Sequence, residues 1–175
     1  MSDFDKALAF VLRWEGGKAD DPHDRGGRTN RGITQLTYNA WLKSQGRDPA
    51  DVWDATLEET GDIYRMRFWG PSGADKEEWP LNLALMDFAV HSGPTRARQK
   101  LQEVRTGGVT GLTTQEAAEA LVARRRAMLQ RIVVGNPSQR RFLNGWMNRI
   151  NALEEAKAYR RLAQEFGFSQ DTIAQ

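Results

Sequence analysis

The feature that most limits how this chain can fold is a helical segment that is apolar around most of its circumference. It opens at Pro80, because proline is favoured as the first residue of a helix. Its apolar residues are Leu81, Leu83, Ala84, Leu85, Met86, Phe88, Ala89 and Val90. A helix without a polar face needs cover on every side, so we expect it to run through the middle of the fold.

Two polar residues interrupt this helix. Asp87 and His91 stand four residues apart and therefore share one face. The carboxylate of Asp87 needs a partner, because an unpaired buried charge is costly. The sequence leaves two partners open, His91 itself or an arginine from elsewhere. Structural pairing is the favoured role for both residues, and His91 is also a candidate substrate-binding residue.

An amphipathic helix at the start of the chain ends at a glutamate. Ser2 has the spacing of a capping box, and Phe4, Leu8 and Val11 recur on one face. Glu15 follows Val11 by four residues and lies on the same stripe. Partial burial and the negative end of the helix dipole both favour the protonated carboxyl, the state that a general acid needs.

A polar, glycine-rich loop follows Glu15 at once. Its Asp-Pro, Gly-Gly and Gly-Ile-Thr steps predict a hairpin or a small irregular sheet. Such a loop folds back and would place Asp24 and Thr29 across a cleft from Glu15. Glycoside hydrolysis needs an acid on one side of the bond and, opposite, a carboxylate or a polar group that holds water. We therefore predict Glu15, Asp24 and Thr29 as catalytic residues.

The same residues also have simpler roles. A glutamate at a helix end is most often a solvated surface residue, and Asp20, Asp21 and Asp24 are favoured turn formers. A calcium loop that starts at Asp20 is disfavoured, because Pro22 takes its second ligand position and Arg25 replaces its glycine.

The remaining patterns predict further helices. Thr34 and Thr56 can each cap one, and the second carries aromatic residues up to Trp69. Tyr64 and Trp69 either pack in the core or line a sugar subsite, so both are candidate substrate-binding residues.

Three more helices are predicted after Pro94. Thr113 caps the second of them, and we expect its arginines at 124–126 to point outward. The third runs from about Ser138 to Phe166. Its core face includes Phe142, Trp146, Ile150 and Leu153.

The composition is that of an ordinary soluble globular protein. The chain has 175 residues, of which 39% are hydrophobic and 27% charged, and it contains no cysteine. A disordered class, a disulfide framework and a cysteine-based zinc site are therefore excluded. No segment approaches the ~20 apolar residues that a membrane-spanning helix needs.

The segment from Glu15 to Thr34 resembles the signature of the glycoside hydrolase 108 family of N-acetylmuramidases, which includes phage endolysins and bacterial proteins named secretion activators. The matching residues are Glu15-Gly16-Gly17, Asp21-Pro22, Asp24, Gly26-Gly27, Thr29-Asn30 and Gly32-Ile33-Thr34. Residues 85–93 and 142–149 resemble two further family elements. The chain departs from the family where Lys18 replaces a residue that is commonly aromatic, where His91 replaces the more usual asparagine, and where Gly107-Gly108 replaces an acidic turn.

The resemblance implies an all-α, lysozyme-like helical fold with a small β-hairpin beside the catalytic helix. It also implies hydrolysis of the β-1,4 bond between N-acetylmuramic acid and N-acetylglucosamine in peptidoglycan, with Glu15 at the position of the family's acid. We expect a catalytic half at 1–92 and a peptidoglycan-binding helical half at 93–175 packed against it, or one compact domain. This chemistry requires no metal and no cofactor.

Three other functions stay open from the sequence. The same acid without an activated water would give a lytic transglycosylase. A non-catalytic wall-binding or secretion-associated module would not need the acid. A nucleic-acid binder would use the arginine-rich helix, but it gives no reason for the Glu-Gly-Gly loop.

The charge distribution favours an anionic partner. Residues 1–120 hold 15 Lys/Arg and 19 Asp/Glu, whereas residues 121–175 hold 10 and 4. A basic region suits the anionic wall, so the expected partner is the glycan strands of peptidoglycan, bound by a monomer without nucleic acid or stable membrane insertion.

The start of the chain does not resemble a secretion signal. Its apolar run at 8–12 is too short for a signal peptide and ends at Arg13. We therefore expect a protein made in the cytoplasm that reaches the periplasm or cell wall through a holin-type pore or another export route, with a phage endolysin as the favoured setting.

Overall fold

The computed structural model describes residues 1–20, 27–108 and 110–166, with side chains up to residue 156. The fold is mostly helical with one small antiparallel hairpin, as predicted. The hairpin pairs β1 (Thr29–Asn30) with β2 (Ile33–Thr34). The helices are α1 (Asp3–Leu12), α2 (Gln35–Ser44), α3 (Leu57–Tyr64), α4 (Gly70–Ser72), α5 (Leu81–Ser92), α6 (Pro94–Thr106), α7 (Thr114–Gly135) and α8 (Arg140–Phe166).

Helix α5 occupies the centre of the fold. Every residue from Leu81 to Ala89 is buried, including Asp87, and the helix packs against α1, α6 and α7. The prediction from its apolar circumference is confirmed. Only the start differs, since Pro80 is the cap residue that precedes the helix rather than its first residue.

Side-chain caps begin four helices at the predicted positions. Ser2, Thr56 and Thr113 each form a capping box with an acidic residue three positions later. Thr34 caps α2 by accepting a hydrogen bond from the N–H of Thr37. Each cap contributes about 1 kcal/mol, so local sequence determines where these helices start.

Helix α1 is held in place by α3 and by the segment that follows it. From Arg65 to Trp69 the chain widens into a π-helical turn before the short α4. Trp69 packs edge-on against Phe4 of α1, with ring centroids 5.4 Å apart. This packing fixes the helix that leads to Glu15.

Two predictions about the C-terminal helices are wrong. Arg125 of α7 does not point outward, because its side chain is buried and paired with Asp87. Phe142 of α8 is not a core residue, because it is 42% exposed. Ile150 and Leu153 of the same helix are buried as predicted.

The C-terminal helices pack onto the rest of the fold through α5. This helix contacts both α6 and α7, and α8 packs along α7. The boundary predicted at 92/93 falls between α5 and α6, and the division into a catalytic and a binding half stays a prediction. Within the three described ranges, no helix has the length and apolar character that crossing a membrane requires.

Candidate active site

Glu15 lies just beyond the C-terminal end of α1. Its N–H donates to the carbonyl of Val11 at 3.2 Å, so the chain still follows a helical turn at this point. The side chain is 22% exposed. As its spacing from Val11 predicts, the carboxylate sits on the inner side of the helix and keeps some access to solvent.

The carboxylate of Glu15 is paired with an arginine from the other end of the chain. Nη1 of Arg149, in α8, donates to Oε1 of Glu15 at 2.8 Å. The Arg149 side chain is only 8% exposed. A site that begins at α1 is therefore completed by the last helix.

Asp87 of α5 binds two arginines at once. Nε of Arg149 donates to its Oδ1 at 2.8 Å, and Nη1 of Arg125 donates to its Oδ2. Burial raises the pKa of Asp87, but the facing guanidinium groups outweigh burial and hold that pKa below its usual range. Of the two partners that the sequence left open, an arginine from elsewhere is correct.

The four groups form a chain of alternating charge, Arg125–Asp87–Arg149–Glu15. Burial lowers the pKa of Arg149, whereas the carboxylates of Asp87 and Glu15 raise it, and the net shift is upward. When Glu15 is ionised, two cations face two anions and the buried cluster is neutral. This balance makes the arrangement stable in an interior where an unpaired charge would be costly.

The turn of the hairpin approaches Glu15 closely. Gly32 has a φ of +74°, and a Cβ built there would lie 2.9 Å from Oε2 of Glu15 and 2.7 Å from the hydroxyl oxygen of Tyr64. That hydroxyl donates to the carbonyl of Arg31 at 2.8 Å, which ties the turn to α3. Glycine is needed at position 32 both for the backbone conformation and for the space.

Thr29 lies on β1, beside the segment that follows Glu15. Its N–H and carbonyl pair with the backbone of Ala19 at 2.8 and 2.9 Å, and its hydroxyl donates to the carbonyl of Gly27 at 3.4 Å. The chain after Glu15 therefore folds back on itself, as predicted. Asp24 lies outside the described residues, so its catalytic role stays a prediction.

Two of the predicted substrate-binding residues are deeply buried. Tyr64 is 1% exposed, and burial together with the Glu15 carboxylate raises the pKa of its hydroxyl. Tyr64 therefore remains a hydrogen-bond donor. Trp69 is 8% exposed and packs against Phe4, so it offers almost no surface to a sugar and fits the core-packing interpretation.

The third predicted substrate-binding residue, His91, borders the charged cluster. Its half-buried ring meets Trp146 of α8 edge-on, with centroids 5.7 Å apart. Burial lowers the pKa of His91 to about 4, and the charges of Arg125 and Arg149 act in the same direction. The imidazole is therefore neutral at pH 7 and adds no charge beside Asp87.

Sequence reasoning missed the role of Arg149 and the contact of Gly32 with Glu15. Both residues lie in segments that resemble family elements, but the sequence alone gave neither of them a function. For Asp87 the sequence left His91 and an arginine from elsewhere open as partners, but the chain has many arginines and no spacing rule links α5 to α8.

The geometry suits proton transfer to a bound oxygen. The half-buried acid lies beside a fixed cation, which stabilises the carboxylate that forms when the proton leaves. The hairpin turn closes one side of this acid and leaves part of it open to solvent.

Comparison with known proteins identifies the family. Residues 8–93 match the sequence profile of the family described as Glycosyl hydrolase 108. The structure of SagA from Brucella abortus is similar, with a TM-score of 0.68 and 32% sequence identity over 89% of this chain and 94% of that chain. The chain belongs to the glycosyl hydrolase 108 family. Among curated proteins, none matches its sequence.

Membership confirms the predicted family and shows that the protein is a glycosyl hydrolase. The part of the chain that matches the glycosyl hydrolase 108 profile contains Glu15, Gly32 and Asp87, whereas Arg125 and Arg149 lie beyond it. Two members of the charged cluster thus come from helices outside the profile match.

Proposed function

We propose that this glycosyl hydrolase is an N-acetylmuramidase that cleaves the β-1,4 bond between N-acetylmuramic acid and N-acetylglucosamine in peptidoglycan, with Glu15 as the general acid. The observation that carries the proposal is the position of Glu15, half-buried between the hairpin turn and Arg149. A carboxyl group in this setting can reach a bound glycan and is partly shielded from bulk water.

In the proposed reaction, protonated Glu15 donates its proton to the glycosidic oxygen while the bond from that oxygen to C1 of N-acetylmuramic acid breaks. The positive charge that develops on the sugar is stabilised by Asp24, and the hydroxyl of Thr29 holds the attacking water. That water adds to C1, and its proton restores the acid. Neither a metal nor a cofactor takes part in these steps.

The setting that we propose is the lysis of a bacterial wall by a phage endolysin. The enzyme acts in the periplasm or cell wall after holin-type or other export. The basic region at 121–175 supports this setting, because wall polymers are anionic and attract it over long range.

Replacement of the acid tests the proposal. Glu15→Gln keeps the size of the side chain and one oxygen acceptor for Arg149, but it removes the transferable proton. We expect the rate of turbidity loss of purified peptidoglycan to fall at least ~100-fold. Circular dichroism and thermal unfolding establish that the variant is folded.

The matched control is Glu155→Gln, the same change at an exposed position of α8. It should clear peptidoglycan like the wild type. A folded Glu15→Gln variant with wild-type activity would remove Glu15 as the acid, and inactivity of the wild type itself would favour a non-catalytic wall-binding module.

A further inference from the structure

We propose that Arg149, which Asp87 and Arg125 hold in place, is a positioning residue for Glu15: it fixes the orientation of the carboxyl group and stabilises the carboxylate that forms when the acid gives up its proton. The inference rests on the proposed function, in which Glu15 is the acid.

The contacts of Arg149 leave it little freedom to move. Its guanidinium uses Nε on Asp87 and Nη1 on Glu15, both at 2.8 Å. A planar guanidinium that bridges two carboxylates fixes the direction of both hydrogen bonds. Asp87 is in turn fully buried and bound by Arg125. The orientation of Glu15 therefore depends on residues from three helices, α5, α7 and α8.

Asp87 and Arg125 would suffice for a structural role of this cluster. They already form a buried pair of one anion and one cation. Arg149 adds a second cation, and within the described part of the chain the carboxylate that balances it is that of Glu15. The cluster thus includes Glu15, the proposed acid, as a fourth member. A purely structural ion pair would not need this residue.

The charge balance couples Arg149 to the proton on Glu15. With Glu15 protonated, the cluster of Asp87, Arg125 and Arg149 carries one uncompensated positive charge, and loss of the proton removes this imbalance. Arg149 therefore attracts the carboxylate that develops in the transition state more strongly than the carboxyl of the ground state. An interaction that strengthens in this way accelerates the reaction.

Among the residues that the structure describes, Tyr64 and His91 are the other titratable side chains that face the cluster from neighbouring elements. Tyr64 feels the charges of Glu15 and Arg149, and its pKa is raised. His91 feels Asp87 and both arginines, and its pKa is lowered to about 4. Both are uncharged between pH 5 and 9, so neither one produces a pH effect assigned to Glu15 in that range.

The test compares two replacements of Arg149 by the dependence of their initial rates on pH. Arg149→Gln removes the positive charge, which favours the protonated form of Glu15. We expect the alkaline limb of its rate profile to move up by about one pH unit, with the maximal rate lowered at least about tenfold. Arg149→Lys keeps the charge but lacks the planar group that directs a hydrogen bond to each carboxylate. It should therefore keep the alkaline limb of the wild type at a reduced maximal rate.

The control is Arg47→Gln. Arg47 links the chain after α2 to α3 through an ion pair with Glu59 at 2.7 Å, and it lies outside both the charged cluster and the basic region at 121–175. Its rate profile should match the wild type. The release of reducing sugar ends from purified peptidoglycan gives the rates, and near-UV circular dichroism at each pH ensures that only folded protein is compared.

The outcomes separate this inference from the proposed function. An unmoved alkaline limb in folded Arg149→Gln, or wild-type rates in Arg149→Lys, overturns the positioning role while Glu15→Gln still tests the acid. If Arg149→Gln does not fold, the rate profile of Arg149→Lys is the test. An alkaline limb at the wild-type pH with a reduced maximal rate supports the positioning role, and a shifted alkaline limb contradicts it. Activity in Glu15→Gln would instead refute the proposed function itself.

Discussion

Gly32 shows how much of the site depends on one residue without a side chain. Its φ of +74° and the space beside Glu15 both exclude a Cβ. The neighbouring atoms cannot move aside freely, because the Tyr64 hydroxyl is bonded to Arg31 and the Glu15 carboxylate to Arg149. A methyl group at this position would therefore displace the proposed acid.

We expect Gly32→Ala to reduce peptidoglycan hydrolysis strongly, at least about 100-fold, because a small misplacement of an acid has this effect. Gly46→Ala is the matched control, since Gly46 also has a positive φ, +68°, with nothing within 4 Å of the added Cβ. Both substitutions should cost roughly 1–2 kcal/mol in backbone strain, measured by urea unfolding. Equal activity in the two variants would show that the contact with Glu15 does not matter.

The structure agrees with some of the roles predicted for individual residues better than with others. Glu15 could be singled out because a carboxylate on an apolar stripe is unusual, and its partial burial agrees with that spacing. The Arg149 cation beside it, which favours the carboxylate, was not foreseen, and the catalytic role stays a prediction. Trp69 could not be resolved in this way, since an aromatic residue at helical spacing serves either a core or a sugar site. Only the contact with Phe4 distinguishes the two.

At the scale of elements, the hairpin matters because it carries Gly32 to the end of α1. The hairpin is short and depends on its anchors. Asn30 of β1 is buried and donates its side-chain amide to the carbonyl of Val52 at 3.0 Å. Arg28 adds ion pairs to Asp20 and Asp51, although these are more exposed.

Loss of the buried anchor should affect both stability and activity. We expect Asn30→Ala to lower the free energy of unfolding by about 1 kcal/mol, because the hydrogen bond from its amide to the Val52 carbonyl is lost while that carbonyl still accepts from the N–H of Ala55. The variant should also reduce hydrolysis, because the turn beside Glu15 is less well held. Thr113→Ala is the control: it removes the α7 cap for about 1 kcal/mol, far along the chain from the hairpin. If both variants lose activity in proportion to stability alone, the hairpin has no specific role.

The residues at which the helices start were predictable from the sequence. Which arginine of α7 points into the interior was not. The caps at Ser2, Thr34, Thr56 and Thr113 are local patterns, and the structure has each of them. The arginines at 124–126 are consecutive, so on a helix of 3.6 residues per turn they spread over more than half the circumference. Such a spread allows one of them to face the interior, and the buried charge of Asp87 pairs with Arg125.

At the scale of the whole molecule, the two ends of the chain meet in one cluster. Glu15 follows the first helix and Arg149 belongs to the last, at a sequence separation of 134 residues. The match to the glycosyl hydrolase 108 profile ends at residue 93, but the charge that faces the proposed acid comes from beyond it. The C-terminal helices therefore contribute to the candidate active site, and their binding of the wall stays a prediction.

The bond that the enzyme breaks is the central claim, and the ends of its products test it most directly. Purified peptidoglycan is digested, the fragments are reduced with borohydride, and their masses are measured. A muramidase predicts fragments that end in reduced N-acetylmuramic acid, absent when Glu15→Gln is used. Anhydro-muramic ends would show a lytic transglycosylase, and reduced N-acetylglucosamine ends would show cleavage of the other glycosidic bond; either result contradicts the account.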